Sequence, residues 1–444
     1  MGCARSVLFF FILSAVSHAM HCRDHVAIIA DPWSTAAELV RAAEARGIEV
    51  HGLFSMARPP AWGMKSKYLA PDRRHFYYDG KDYRGLRDRI SAFGPDEILY
   101  GADGPGLRLV DRLTEDLGLR GNGTQFSLAR TTKDLLQARL GDPALKDEAL
   151  PSLKSELVTD LDSAKRFVES VGGYPVFMKP NDDGGGTNAF PIESVEVLED
   201  KITLILGHDN STTGQKYSGA LLQEFADGVE YAVQGTARDG HIKFSSILKY
   251  EHAPVEGGGK TYLAHWLIEP GSRAAGEVTA FIRQANKLVR FRNGAFHWEV
   301  KLTLKNGVVA IELNPRIIGG GMVTGLKDAI GYSDVDLVIE AYFFPEEFFA
   351  RPDVYRIRQH AFFHELLSPR PGMIFNEKAL REVERLPGFK RARRHFEGIL
   401  PHSLNLDSIS ATLDFSHVSK SVLEDSFERV RELHDAGAFF VTAP

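Results

Sequence analysis

Residues 294–316 read GAFHWEVKLTLKNGVVAIELNPR, two strand-like runs that carry acids where a sheet ordinarily buries apolar side chains. Side chains alternate faces along an extended chain, so every second residue shares a side. On the first run Phe296, Trp298, Val300 and Leu302 share one face, and His297, Glu299, Lys301 and Thr303 share the other. The second run sets Val309, Ile311 and Leu313 against Val308, Ala310, Glu312, Asn314 and Arg316. Asn306-Gly307 between them predicts a two-residue hairpin turn, because both residues tolerate positive φ. If Lys305 pairs with Val308, Glu299 falls opposite Asn314 and Lys301 opposite Glu312. Glu299 and Glu312 are then diagonal neighbours, with Cβ atoms roughly 7 to 8 Å apart. Two carboxylates that close in a dry place need a cation between them, and oxygen ligands suit a hard divalent ion such as Mg²⁺. The alternative is a solvated face on which Lys301 neutralises Glu312.

The surrounding chain is long enough for several domains. Its 444 residues support roughly two to four by ordinary domain sizes. With 43% hydrophobic and 25% charged residues and a formal net charge of -6, the composition is that of a globular protein and argues against a general nucleic-acid surface. The basic cluster Lys390, Arg391, Arg393 and Arg394 reads as a solvated face. Cys3 and Cys22 are the only cysteines, which excludes a disulfide framework or a cysteine-rich zinc site. Residues 1–19 have the parts of a secretory signal: Arg5, an apolar run from Val7 to Val16 and a small-residue end at Ala19. The run is too short to span a bilayer. Met20 offers a second start, after which the strand "HVAIIAD" follows almost at once. A start at Met20 makes the protein cytoplasmic, the expected reading, with export as the alternative.

Past Met20, strand and helix patterns alternate. "HVAIIAD", the helical "TAAELVRAAEARG" closed by Gly47, "IEVHGLF" and "DEILYGAD" predict βαβ units and a parallel sheet. A helix is expected over "SLARTTKDLLQARL", another ending at Gly172-Gly173, and a strand from Tyr174. The segments "GALLQEFADG", "VEYAVQGTARDG" and "HIKFSSILKYE" read as antiparallel strands joined by Asp-Gly turns. The last helix, "SVLEDSFERVRELHDAG", has Ser421 and Glu424 as a capping box and Gly437 as a stop. The expected divisions are a leader over 1–20, an α/β domain over 21–121, two α+β subdomains over 122–214 and 215–340, and a C-terminal α+β region over 341–444.

The strand "YPVFMKP" runs into "NDDGGGTNAF". Three consecutive glycines lose much entropy on ordering and pack no core, so they serve backbone access or motion. Their N–H groups can close over phosphate oxygens, with Lys179 supplying a point charge. No Gly-Lys-Ser or Gly-Lys-Thr follows, so this is not a Walker loop, and a mobile surface loop is the alternative. A first lysine (Lys133 in "ARTTKDLL"), a second before a glycine loop, an acid-bearing strand ("LLQEFADGVEY") and the late "HWEVKLT…AIELNPR" hairpin then follow in the order of the ATP-grasp superfamily. From about residue 25 to 330 the chain strongly resembles it. "GNGTQFSLARTTKDLL", "LAHWLIEP" and "LDFSHVSKSVLEDSFERVREL" look like the branch of L-amino-acid ligases that make dipeptides.

That resemblance implies an ATP-grasp fold of mixed α/β and α+β class: an N-terminal parallel α/β domain, two α+β subdomains sandwiching ATP, and a C-terminal α+β region. It implies that Lys133 and Lys179 hold the α and β phosphates while Asp183, Gly184, Gly185, Gly186 and Thr187 close on the nucleotide. Glu224 and Phe225 would meet adenine and Glu230 the ribose. Glu299, Glu312 and Asn314 would bind Mg²⁺, or Mn²⁺ in its place, and Arg316 would steady the transferring phosphoryl group. His265 resembles a histidine near the phosphates or substrate. Each has a plainer reading: Lys133 as an exposed helix lysine, Glu224 and Glu230 as solvated strand acids, His265 as a core histidine. Gly319 to Gly321 offer N–H groups to a substrate carboxylate, or simply allow close packing. The implied activity is an ATP-dependent ligase joining amino acids or related acids and amines through an acyl phosphate. A kinase-like or carboxylase-like relative and a non-catalytic ATP-binding module are the alternatives. Its partners would be small molecules rather than nucleic acid, with no stable membrane span, and a homodimer is allowed.

Overall fold

The computed structural model describes residues 25–56, 73–102, 104–181, 183–210 and 216–443. The expected leader, Met20 and both cysteines lie outside them. The first sheet is parallel, as the buried apolar runs require. Its strands are β1 (Val26–Ala30), β2 (Glu49–Phe54), β3 (His75–Tyr77) and β4 (Glu97–Leu99), in the order β3-β2-β1-β4. The helix Ala36–Ala45 follows β1 and ends at Gly47, whose φ of 75° closes it.

A second, antiparallel sheet contains β5 (Ser155–Val158), β6 (Val176–Pro180), β7 (Phe190–Ile192) and β8 (Ala220–Glu224), ordered β5-β8-β6-β7. Asp160 caps the helix Leu161–Ser170 and Ser194 caps Val195–Ile202. These helices cover Val176, Met178 and Leu222. Alternation along β6 then turns Phe177 and Lys179 to the opposite face.

The third sheet has eight strands. They are β9 (Val229–Arg238), β10 (His241–Pro254), β11 (Lys260–Leu267), β12 (Gly294–Thr303), β13 (Gly307–Asn314), β14 (His360–Leu366), β16 (Phe389–Arg394) and β17 (Ala411–His417); β15 (Met373–Phe375) and β18 (Phe440–Thr442) form a separate pair. The order is β13-β12-β9-β10-β11-β14-β17-β16. Helices Arg273–Leu288 and Asp334–Phe343 pack on its central strands.

Several expectations are corrected. Asp239-Gly240 does turn the β9–β10 hairpin, with φ of 52° and 88°, whereas Asp227-Gly228 carries the chain from one sheet to another, since β8 pairs with β5 and β6. The helix expected from Ser127 begins only at Lys133, after a run of turns. The last helix, Lys420–Asp435, is capped by Ser419 rather than by Ser421. Strand β8 lies beyond residue 214 yet completes the second sheet. Strands β14, β16 and β17 lie beyond residue 340 yet extend the third. Hydrogen-bonded ladders thus cross both expected divisions, because pairing partners are chosen in space and not by proximity in sequence.

The opening hairpin also differs from its expected register. Thr303 pairs with Gly307, so the loop is Leu304-Lys305-Asn306, with Gly307 at a φ of 64°. Thr303 Oγ1 holds this loop, donating to Gly307 O at 2.9 Å and accepting from Asn306 N at 3.0 Å. Farther along, Glu299 pairs with Glu312 while Val300 pairs with Ala310, leaving Ile311 as a bulge. The extra residue breaks the simple alternation. Val308 and Ala310 face the core with Val300, whereas Glu312 and Asn314 turn to the face of Glu299 and His297.

Candidate active site

The bulge brings Glu299 and Glu312 directly opposite rather than diagonal, at the roughly 5 Å Cβ separation of paired strand residues. Each carboxylate has its own support. Glu312 Oε2 lies 3.1 Å from Lys133 Nζ, and Oε1 accepts from Asn314 Nδ2 at 2.6 Å. Glu299 Oε1 accepts from Tyr262 Oη at 3.3 Å and lies 3.3 Å from His297 Nε2. Lys133 is presented at the first turn of its helix, where Asp134 N donates to Asn181 Oδ1 at 3.1 Å and Asn181 Nδ2 donates to Asp134 Oδ1 at 2.9 Å. Lys133 Nζ also donates to Asp183 O at 2.7 Å, which ties the start of the glycine loop to the carboxylates. Thr131, Thr132, Lys133, Glu312 and Asn314 line a polar crevice beside them.

The electrostatics are those of a half-built ion cage. Burial alone would raise the Glu312 carboxyl, but Lys133, the Asn314 amide and Lys179 outweigh it and hold it at about 2. Burial and the like charge of Lys133 bring the Lys179 ammonium down to about 8. Burial also opposes the charge on Lys133, yet Glu312, Glu299 and Asp183 leave it above the ordinary lysine value. Glu230, on β9, is pushed up to about 7 by burial and by Glu299. Lys301 Nζ is 3.9 Å from Glu230 and donates to Ala226 O at 3.1 Å, joining this acid to the end of β8. There Phe225 lies under the Lys301 ammonium, 5.9 Å from ring centre to Nζ, and Glu224 Oε1 lies 3.7 Å from Lys305 Nζ.

Gly184 to Thr187 form a tight turn in which Thr187 N donates to Gly184 O at 3.2 Å. Tyr217 donates to the Asp183 carboxylate, and Leu406 N donates to Gly185 O at 3.0 Å. Arg316, half-buried past the end of β13, donates to Ile317 O at 2.9 Å. His265 stands farther off, buried on β11, with its ring 5.5 Å from that of Tyr262. The structure therefore gathers the lysines, glycine loop, Glu230, Glu299, Glu312 and Asn314, sets Glu224 and Phe225 at one margin, and leaves His265 one ring behind Tyr262. The basic cluster is not a plain solvated face: Arg393 donates to Gly320 O and to Asp414, at 2.7 Å from Nη2, and Gly321 has no room for a Cβ beside it. Gly320 thus meets the protein's own arginine through its carbonyl.

Tyr262, His297 and Lys301 were absent from the expected site. His297 was visible in principle, sharing the face of Glu299 two residues away; Tyr262 reaches in from another strand and leaves no local signal. Among the described residues no three His, Cys, Asp or Glu side chains converge as a metal site. Two facing carboxylates completed by the Asn314 amide oxygen nonetheless form an all-oxygen set, which fits a hard divalent ion.

Residues 173–325 match the profile of the ATP-grasp domain. Over 354 residues the chain is 27% identical to dapdiamide A synthase of Enterobacter agglomerans, covering 79% of this chain and 81% of that one. It is 24% identical over 249 residues to alanine–anticapsin ligase of Bacillus amyloliquefaciens, covering 52% and 50%. The L-amino acid ligase from Bacillus licheniformis superposes with a TM-score of 0.69 at 17% identity, over 92% of this chain and 97% of that structure. With a parallel first sheet, antiparallel sheets beyond it, and a profile match that spans Lys179 to Asn314, residues 173–325 form an ATP-grasp domain.

Proposed function

We propose that this protein is an ATP-dependent carboxylate–amine ligase acting on amino acids or closely related acids and amines. The observation that carries the reading is the Glu299–Glu312 pair held directly opposite, with Lys133 on one acid and Lys179 within electrostatic reach. The names of the relatives, two of them ligases and one a synthase, support the amino-acid class of substrate.

In this reading Lys133 and Lys179 bind the α and β phosphates. Glu230 accepts from the ribose hydroxyls, and Glu224 and Phe225 border the adenine. Glu299, Glu312 and Asn314 would hold Mg²⁺, which neutralises phosphate charge when bound. A substrate carboxylate attacks the γ-phosphorus of ATP; the P–O bond to ADP breaks and an acyl phosphate forms. Positioning and charge stabilisation are nearly all a protein supplies to such a transfer, and in this reading Arg316 offsets charge on the moving phosphoryl group. The amine substrate then attacks the acyl carbon, a C–N bond replaces the C–O bond, and phosphate leaves. The Gly184–Gly186 turn, held down by Leu406, keeps water from the activated acid.

The test incubates the chain from Met20 with ATP, Mg²⁺ and the twenty amino acids. Expected are ADP release that depends on added amino acids and, by mass spectrometry, a product one condensation heavier than its parts. ADP release indifferent to every amino acid would overturn the reading.

A further inference from the structure

One buried polar chain is not used by the phosphoryl transfer. His265 on β11 is 1% exposed, its ring 4.7 Å from that of Tyr250 and 5.5 Å from that of Tyr262. Its Nε2 lies 3.1 Å from Glu365 Oε1 on the adjoining strand β14. Glu365, 2% exposed, accepts through Oε2 from Thr412 Oγ1 on β17 at 2.7 Å. Thr412 Oγ1 lies in turn 2.9 Å from Nε2 of His395, just past β16 and exposed. Three neighbouring strands and the residue that follows a fourth thus contribute one link each, and Glu365 and Thr412 are direct partners in the β14–β17 ladder.

The tautomer follows from donor and acceptor capacity. An ionised carboxylate only accepts, so His265 Nε2 carries the hydrogen and Nδ1 is the acceptor. Nδ1 is buried and has no hydrogen-bond partner among the described residues. A buried acceptor left open calls for a donor. His265 adjoins the site through one side chain: the Tyr262 ring stands 5.5 Å from it and carries the hydroxyl bonded to Glu299. The other titratable groups facing His265 are Tyr250, Tyr262, His252 and His364, with Arg393 and Asp414 beyond Glu365. Burial raises both tyrosines far above their ordinary value and holds His252 at about 4, so all three are neutral near pH 7.

Resting on the ligase reading, we propose that Glu365, steadied by Thr412 and His395, is a positioning residue that presents His265 Nδ1 as the proton acceptor for the incoming ammonium group. The step balances as acyl phosphate plus R′NH₃⁺ giving amide, HPO₄²⁻ and one H⁺. One ammonium proton departs with phosphate. The other passes to Nδ1, and the Glu365 carboxylate stabilises the imidazolium until the site reopens to water.

Hydroxylamine separates this role from a structural one, because it is a free base at neutral pH and captures acyl phosphates without help. The measurement is the ratio of dipeptide to hydroxamate formation at pH 7 in wild type and Glu365→Gln, with ATP and Mg²⁺. The expected result is a ratio at least about tenfold lower in the variant, regained as the pH is raised and the amine deprotonates itself. A ratio equal to that of wild type, or one that no rise in pH restores, overturns the proposal while leaving the ligase reading intact. A wild type that forms neither product overturns both. Should Glu365→Gln lack a thermal unfolding transition, Thr412→Val, which replaces the hydroxyl with a methyl group, takes its place: the same ratio falls if the proposal holds and is unmoved if it does not.

Discussion

Glu312 is the residue on which two opposing demands meet. It must remain ionised while half-buried beside Glu299, and Lys133, Asn314 and Lys179 make that possible. Glu312→Gln keeps the shape and removes the charge. Ligation is expected to fall about a hundredfold or more, the range seen when one preorganised electrostatic group is lost. Calorimetry should also show weaker uptake of Mg²⁺–nucleotide. Wild-type turnover in that variant would remove the metal role.

Glu230 illustrates the reverse sign. Its folded value near 7 lies above the ordinary 4.5, so the folded state binds a proton more readily than the unfolded chain. Stability from this group is therefore lost as pH rises from about 4.5 through 7. Glu230→Gln should raise Tm at pH 8 and leave it nearly unchanged at pH 4, while raising KM for ATP through the lost ribose contact. A lower Tm at pH 8 would show that Lys301 and His252, 3.9 and 3.8 Å away, more than offset the burial.

At the scale of elements, the β12–β13 hairpin and the glycine turn do different work. The bulge of the hairpin aims the acids; the turn, in the proposed function, is a cover. Gly186 has a φ of 75°, and a Cβ there would meet only Lys260 O, at 3.8 Å. Gly186→Ala is thus strained by its backbone rather than by a clash, at a cost of order 1 kcal/mol. A cover that closes less often lets water reach the acyl phosphate. The expected readout is fewer amides per ADP released, with ADP release itself much less affected. An unchanged amide-to-ADP ratio would show that the turn does not exclude water.

Over the whole molecule, the cover rests on parts of the chain far apart in sequence. Gly185 O accepts from Leu406 N, and a Cβ added at Gly259 would lie 3.8 Å from Phe190. Nucleotide that draws the cover down should therefore protect residues 184–187 and 404–408 from hydrogen exchange together. It should also raise Tm in proportion to the logarithm of its concentration. Leu406→Pro removes the donor N–H and is expected to lower protection of the glycine turn in the presence of ATP and Mg²⁺. Equal protection in the variant would show that the C-terminal region does not hold the cover.

What the sequence determined by itself was local or ordered along the chain. Buried β-branched runs with helices between them specify the parallel first sheet, and alternation around Glu299 marks a face with acids. The succession of Lys133, Lys179, glycine loop and hairpin carries the resemblance to the ATP-grasp domain that residues 173–325 match. Register was beyond it, because Asn306-Gly307 permits more than one turn and the Ile311 bulge answers to packing on both faces of β13. Tertiary structure alone set Glu299 opposite Glu312 and brought Glu365 to His265 across 100 residues of chain. It also carried the third sheet into the C-terminal region. Contacts between distant segments depend on how whole faces bury, and a single strand bears no mark of the partner that will lie beside it.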